Sequence, residues 1–157
     1  MAFKTDCGGV AMTAEIKLSK AATTWNTRLS HIHHMDGEIY ICTFSMCNFE
    51  YISKILGKRS DRVTIICNSR YEENARVLKG LFPETRFFIN PYAHAKLVLI
   101  DPKVVWLSSE NLGRKKNTFD ATIGIQSEEA YQHYLAQIHK LLRSRDTTEI
   151  GGNGYVD

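Results

Sequence analysis

Short apolar runs that alternate with helical segments constrain the fold of this 157-residue chain most strongly. Residues 38–46 (EIYICTFSM) and 62–67 (RVTIIC) are rich in β-branched and aromatic side chains, which is typical of buried strands. Asn48 can cap a helix that ends at Gly57, and the second run is followed by a helix over residues 72–82. This alternation predicts an α/β domain.

The second half of the chain adds a hairpin and a closing helix. A turn over residues 101–103 joins the two hairpin strands. The predicted strands cover residues 86–89, 94–100, 104–107 and 121–126, and the helix covers residues 127–145. Because hairpin strands are antiparallel, we expect a mixed β-sheet flanked by helices, in one domain over residues 1–146.

The ends of the chain give weaker patterns. Residues 1–12 contain glycines and lack periodicity, so they are expected to form an irregular arm. Apolar residues follow mostly helical spacing over residues 14–35, which predicts a helix there. Residues 147–157 (TTEIGGNGYVD) have no periodicity and are predicted to form a flexible tail.

Composition bears on the compartment and the partner. The four cysteines form no CxxC pair, so we expect free thiols in a reducing interior. The N-terminus lacks a signal peptide's apolar segment, and no stretch approaches the roughly 20 apolar residues of a membrane span. We therefore expect a cytoplasmic protein without stable membrane insertion. The net charge of +3 suits a polyanionic partner.

The chemistry-bearing segment is HAKLVLIDPKVVWLSSENLG, which begins at His94. Side chains two residues apart on a strand share a face, so His94 and Lys96 are expected to lie side by side. An imidazole can attack a phosphodiester while an ammonium holds a non-bridging phosphate oxygen. The hairpin would bring Ser109 and Asn111 back beside them, where a hydroxyl and an amide can bind further oxygens.

This segment resembles the HxK(x4)D…GSxN signature of the phospholipase D superfamily. The matching positions are His94, Lys96, Asp101, Ser109 and Asn111, at the family's spacing. The resemblance covers residues 37–142 in element order and implies a phospholipase D-like half-domain with phosphodiesterase activity. The chemistry that it implies needs no metal and no cofactor.

The resemblance also implies a role for each matching residue. His94 would be the nucleophile that forms a phosphohistidine, or the general acid that protonates the leaving oxygen. Lys96 and Asn111 would bind the phosphate, and Ser109 would assist them. Asp101 would have a structural role in supporting the hairpin turn.

Two positions depart from the family's pattern. Ser108 stands where the family usually has glycine, and it can narrow the space near the phosphate. Asp120 stands just before the last predicted strand, where glutamate is more usual. By the resemblance, Asp120 would orient His94 by accepting its second ring N–H.

One copy of the motif predicts a homodimer. Displacement at phosphorus places the attacking and leaving groups on opposite sides, so one histidine cannot serve both. None of the other five histidines has a lysine two residues later. A two-fold dimer would bring two copies of His94 face to face, and the resemblance implies the same, since short family members dimerise.

Residues around the motif suggest the substrate. Arg114, Lys115 and Lys116 directly follow the Asn111 loop and can anchor neighbouring phosphates, although charge runs are often only solvated loops. Tyr92 can stack on a base or close the pocket. The histidines within residues 31–34 are interpreted as residues at a helix end and not as metal ligands, because a complete set of metal ligands is lacking there.

Three function classes follow. An endonuclease acting on DNA or RNA is the first, supported by the short chain, the single motif and the basic rim. A lipid enzyme, either a phospholipase or a phosphatidyltransferase, is the second. The third is a catalytically silent module that keeps the fold to bind nucleic acid. The sequence does not distinguish DNA from RNA.

Overall fold

The strands of this protein carry long runs of buried side chains, and they pair into one mixed sheet. The computed structural model describes residues 15–20, 37–113 and 119–151, the first range by its backbone alone. The strands are β1 (Glu15–Lys20), β2 (Ile39–Cys42), β3 (Val63–Asn68), β4 (Arg86–Asn90), β5 (Leu97–Ile100), β6 (Val104–Ser108), β7 (Phe119–Gln126) and β8 (Thr148–Glu149). The helices are α1 (Phe49–Leu56), α2 (Glu72–Leu81) and α3 (Glu128–Leu142), with a 3₁₀ turn at Ser69–Tyr71.

The order of the strands determines which chain segments meet. Across the sheet the order is β1-β7-β6-β5-β2-β3-β4-β8. The neighbours β2, β3 and β4 are parallel, and every other neighbouring pair is antiparallel. The carboxyl ends of β2, β3, β4 and β6 therefore share one edge with the starts of β5 and β7. We call this edge the active edge.

Helices cover both faces of the sheet. Ile52 and Ile55 of α1 and Leu78 of α2 are buried in one hydrophobic cluster. Ala130 and Ile138 of α3 belong to a second cluster, on the other face. The described residues thus form three layers, which confirms the predicted α/β fold with a mixed sheet between helices.

Two helix starts follow the sequence prediction closely. The Asn48 side chain accepts a hydrogen bond from the backbone N–H of Tyr51 at 3.0 Å, so it caps α1. Ser127 caps α3 in the same way, accepting from the Ala130 N–H at 3.2 Å. Each cap satisfies a backbone donor that the first helical turn would leave without a partner.

The N-terminal helix prediction was wrong for the part that the structure describes. Glu15–Lys20 is a strand that pairs antiparallel with β7, with Glu15 opposite Gly124 and Lys20 opposite Phe119. Its sequence, EIKLSK, alternates polar and apolar residues, and this period of two suits a strand in a sheet. Residues 21–36 lie outside the described ranges.

Two further differences concern element boundaries. The strand predicted from residue 94 begins only at Leu97, because the preceding residues form the connection from β4. In the predicted tail, Thr148–Glu149 pairs with β4, and Ile150 is 2% exposed and donates its N–H to Phe87 O at 2.8 Å. Burial of Ile150 holds this segment against the sheet. A single buried residue is too short a pattern to appear as periodicity in the sequence.

Candidate active site

The histidine and lysine of the motif lie together at the active edge. The Lys96 Nζ is 3.3 Å from the His94 Nδ1 and donates to the His94 carbonyl oxygen at 2.8 Å. His94 is exposed and Lys96 is partly buried. An ammonium can only donate, so in a hydrogen bond across this contact the His94 Nδ1 would be the acceptor. The site therefore presents a ring nitrogen and a cation to solvent at one point.

Buried asparagines hold the chain that leads to His94. Asn68, which is 6% exposed, donates its amide N–H groups to Pro91 O at 2.9 Å and Ala93 O at 3.2 Å. Asn90, also buried, accepts from the Tyr92 N–H at 2.7 Å. Both asparagines end buried strands, and a polar residue at such a position is the signal that the sequence analysis missed.

Asn111 is fixed by the loop that follows β2. Its Oδ1 accepts from the backbone N–H groups of Phe44 at 3.1 Å and Ser45 at 3.2 Å, and the Thr43 hydroxyl is at 3.4 Å. The Thr43 Oγ1 in turn accepts from the Leu112 N–H at 2.9 Å. These bonds use the amide oxygen for structure, whereas its nitrogen is the donor that a phosphate oxygen requires.

The Ser109 hydroxyl links the end of β6 to the start of β7. It donates to Asp120 Oδ1 at 2.7 Å and accepts from the Ala121 N–H at 3.1 Å. The preceding residue, Ser108, donates its N–H to Lys96 O at 2.9 Å, which places this turn beside the lysine. Asp120 thus lies at the active edge bonded to Ser109, and its predicted role of orienting His94 stays a prediction.

The Ser108 side chain, at the position where the resembled family has glycine, turns toward β7. Its Oγ lies 3.3 Å from the Thr122 hydroxyl and accepts from the Glu110 N–H at 3.0 Å. The serine is therefore accommodated by hydrogen bonds within the sheet edge.

Asp101 lies at the opposite end of β5 from His94. Its N–H donates to Glu38 O at 3.0 Å, and a β-carbon on Gly37 would come within 2.5 Å of its carboxylate. Burial, and then the charge of Asp101, raise the pKa of the Tyr131 hydroxyl. The length of β5 therefore separates Asp101 from the active edge, and its expected structural role stays a prediction.

Solved structures resemble the chain over most of its length. Nuc, a phospholipase D family member from Salmonella typhimurium, has a TM-score of 0.69 and 13% identity over 89% of this chain and 100% of its own. NucT from Helicobacter pylori has a TM-score of 0.65 and 19% identity over 88% of this chain and 100% of its own. Phosphatidylserine synthase from Haemophilus influenzae has a TM-score of 0.64 and 17% identity over 87% of this chain and 39% of its own.

The chain has the phospholipase D fold. No family model matches the sequence, and no curated protein matches it. The resemblance drawn from the motif is thus confirmed at the level of fold by structures that share less than a fifth of its residues.

An aromatic residue that sequence reasoning missed lies against the motif of this phospholipase D fold. The ring of Phe44, just after β2, has its centroid 5.2 Å from that of His94, with the planes inclined by 50°. The Lys96 Nζ is 5.9 Å from the same ring. Its sequence signal was weak, because Phe44 stands in an apolar run that was interpreted as a continuous strand.

The predicted nucleic-acid contacts are only partly within the described residues. Tyr92 is 77% exposed and lies two residues before His94, on the turn that Asn68 and Asn90 hold. Arg114, Lys115 and Lys116 lie outside the residues that the structure describes.

Two further findings concern metal-binding groups and membrane-spanning helices. Within the described ranges, no group of three or more His, Cys, Asp or Glu side chains is placed to hold a metal ion. In that same part of the chain, no helix is both long enough and apolar enough to cross a bilayer.

The buried thiols lie near the active edge but are poorly suited to react. Burial raises the pKa of Cys42 to about 11 and that of Cys67 to about 12. A nucleophilic cysteine needs its thiolate, which these values suppress at neutral pH. Cys42 and Cys67 are therefore poor candidates for a nucleophile at this edge.

Proposed function

We propose that this protein is a metal-independent phosphodiesterase, an endonuclease that cuts DNA or RNA through a phosphohistidine at His94. One observation carries the proposal: a single edge of a phospholipase D fold holds His94, Lys96, Ser109 and Asn111. These side chains offer one nucleophile and three donors for phosphate oxygens. A phosphodiester is the group that needs this combination.

In the proposed first step, a ring nitrogen of His94 attacks phosphorus. The bond from phosphorus to the leaving oxygen breaks, and that oxygen takes a proton from the imidazolium of a second His94. In the second step, a water molecule gives its proton to this second imidazole and attacks the phosphohistidine, which releases the phosphate and restores His94. Lys96 would turn from the His94 carbonyl, and the Ser109 hydroxyl from Asp120, to the non-bridging oxygens, where Asn111 also donates.

The second histidine comes from a second copy of the chain. One chain holds one motif, and His94 is exposed at the active edge, so a partner could approach it. A two-fold axis through this edge would place two equivalent histidines on opposite sides of one phosphate. The proposed unit of activity is a homodimer.

The surroundings of His94 favour nucleic acid as the substrate. The exposed Tyr92 on a held turn can stack on a base adjacent to the reacting phosphate. The adjacent run Arg114, Lys115 and Lys116 would bind flanking phosphates, and these three residues remain a sequence prediction.

A lipid substrate is the second candidate, and a specific finding favours it. A phosphatidylserine synthase shares the fold over 87% of this chain. A phosphatidyltransferase would use the same histidine and lysine on a lipid phosphodiester.

A silent nucleic-acid-binding module would keep the fold without turnover.

The deciding experiment measures cleavage of single- and double-stranded DNA and RNA in excess EDTA. We expect cleavage by the wild-type chain, and none by His94→Ala. His133→Ala, on α3, is the matched histidine control and should remain active. Loss of wild-type cleavage in EDTA would contradict the metal-independent mechanism.

The remaining outcomes separate the alternatives. If nucleic acids are untouched while phosphatidyl substrates are turned over, the lipid candidate replaces the nuclease. Nucleic-acid binding without cleavage of any diester would favour the silent module.

A further inference from the structure

Phe44 contacts three of the residues assigned to the proposed reaction. Its ring lies 5.2 Å from the His94 ring and 5.9 Å from the Lys96 Nζ, measured to the ring centroid. Its backbone N–H donates to Asn111 Oδ1 at 3.1 Å. One residue thus adjoins the histidine, the lysine and the amide together.

The Phe44 ring is itself held in place from another side. The ring of Tyr71 meets it edge-on, with centroids 5.6 Å apart and planes inclined by 77°. The Tyr71 hydroxyl interacts with the side chains of Cys47 and Ser45. These contacts fix the phenyl ring as a wall beside the motif.

We infer that Phe44 is a positioning residue that holds His94 and Lys96 side by side for the reaction; this rests on the proposed function. An exposed imidazole samples several rotamers, and a ring packed on one side restricts them. A phenyl group forms no conventional hydrogen bond, so Phe44 itself occupies neither ring nitrogen of His94. Its π-face attracts the Lys96 ammonium, which keeps the cation beside the nucleophile.

The test compares Phe44→Leu with Phe44→Tyr. Leucine keeps apolar bulk but loses the flat π-face, so we expect kcat to fall by roughly tenfold to hundredfold. KM should change by less than about threefold, because Phe44 is not assigned a phosphate contact. Tyrosine keeps the ring and should restore most of kcat. Phe49→Leu, at the exposed start of α1, is the matched control and should leave kcat unchanged.

A second measurement does not depend on activity. Ring-proton NMR signals of His94, assigned by their loss in His94→Gln, should be displaced by the ring current of Phe44. In Phe44→Leu they should move toward the position of a free histidine, and in Phe44→Tyr they should stay displaced. If Phe44→Leu does not fold by circular dichroism, Phe44→Met is assessed by the same two measurements.

These outcomes separate the inference from the proposed function. Unchanged kcat and unchanged His94 signals in Phe44→Leu would overturn the inference, as would a loss confined to KM. If the wild-type chain cleaves no diester, the proposed function fails. The NMR comparison then still decides whether Phe44 positions His94.

Discussion

At the scale of single residues, the Asn111 amide has a structural contact through its oxygen and a proposed chemical role through its nitrogen. Its oxygen accepts from the Phe44 and Ser45 N–H groups, and its nitrogen is assigned to the phosphate. We predict that Asn111→Asp keeps the acceptor but places negative charge at the phosphate, so cleavage should fall about a hundredfold or more. The free energy of unfolding should change by less than about 1 kcal/mol.

The matched variant is Asn111→Ala. It removes the acceptor from two backbone donors, so unfolding in urea should show a loss of about 1–3 kcal/mol. Equal stability of the alanine and wild-type chains would contradict the structural half of this account. Full activity in the aspartate variant would contradict the phosphate-binding half.

The types and spacing of the motif residues were enough to predict that they lie at one edge of the sheet. His94 and Lys96 are two positions apart, and a hairpin returns Ser109 and Asn111 to the same edge, so local geometry was sufficient. Phe44 was missed because its role arises from contacts across the sheet edge. A residue 50 positions from the motif in the chain gives no periodic signal of such a contact.

At the scale of elements, the connection from β4 to β5 positions His94, the proposed nucleophile. Asn68 ends β3 and donates to Pro91 O and Ala93 O of this connection. We predict that Asn68→Ala lowers the free energy of unfolding by about 1–3 kcal/mol, since the buried Ala93 carbonyl and the partly buried Pro91 carbonyl lose their donor. Cleavage should fall as well, because the residue before His94 is no longer held.

Asn74→Ala provides a comparison away from this connection. The Asn74 side chain donates to Met46 O, on the segment between β2 and α1, so its loss should affect stability more than cleavage. Urea unfolding and initial cleavage rates, measured on both variants, separate the two effects. Equal cleavage by Asn68→Ala and the wild-type chain would argue against the idea that Asn68 holds the connection from β4 to β5 in place for cleavage.

The elements also show where sequence patterns were insufficient. Helices α1 and α3 were predictable because each begins at a side chain that caps its first turn. β1 was assigned to a helix because its apolar residues also fit the longer helical spacing of residues 14–35. Pairing with β7 decides the conformation there, and a partner about 100 residues away leaves no local signature.

At the scale of the whole molecule, the order of strands assembles the site. Parallel β2, β3 and β4 end where antiparallel β5 and β7 begin, so the connections after β2, after β3, from β4 to β5 and from β6 to β7 meet at the active edge. The sequence predicted the mixed sheet, because buried runs alternate with helices before the hairpin. The strand order itself was not predictable from single segments, since any buried strand can pair with several others.

The proposed homodimer leads to the last prediction, because one chain supplies one copy of His94. We predict that co-refolding equal amounts of wild-type and His94→Ala chains leaves about a quarter of the wild-type activity, since only dimers with two histidines complete the reaction. Initial cleavage rates across a series of mixing ratios should follow the square of the wild-type fraction. His133→Ala in place of the His94 variant is the control, and its mixtures should keep full activity. A linear decline to one half would mean that each chain acts with its own histidine alone, which would overturn the shared site while leaving a role for His94.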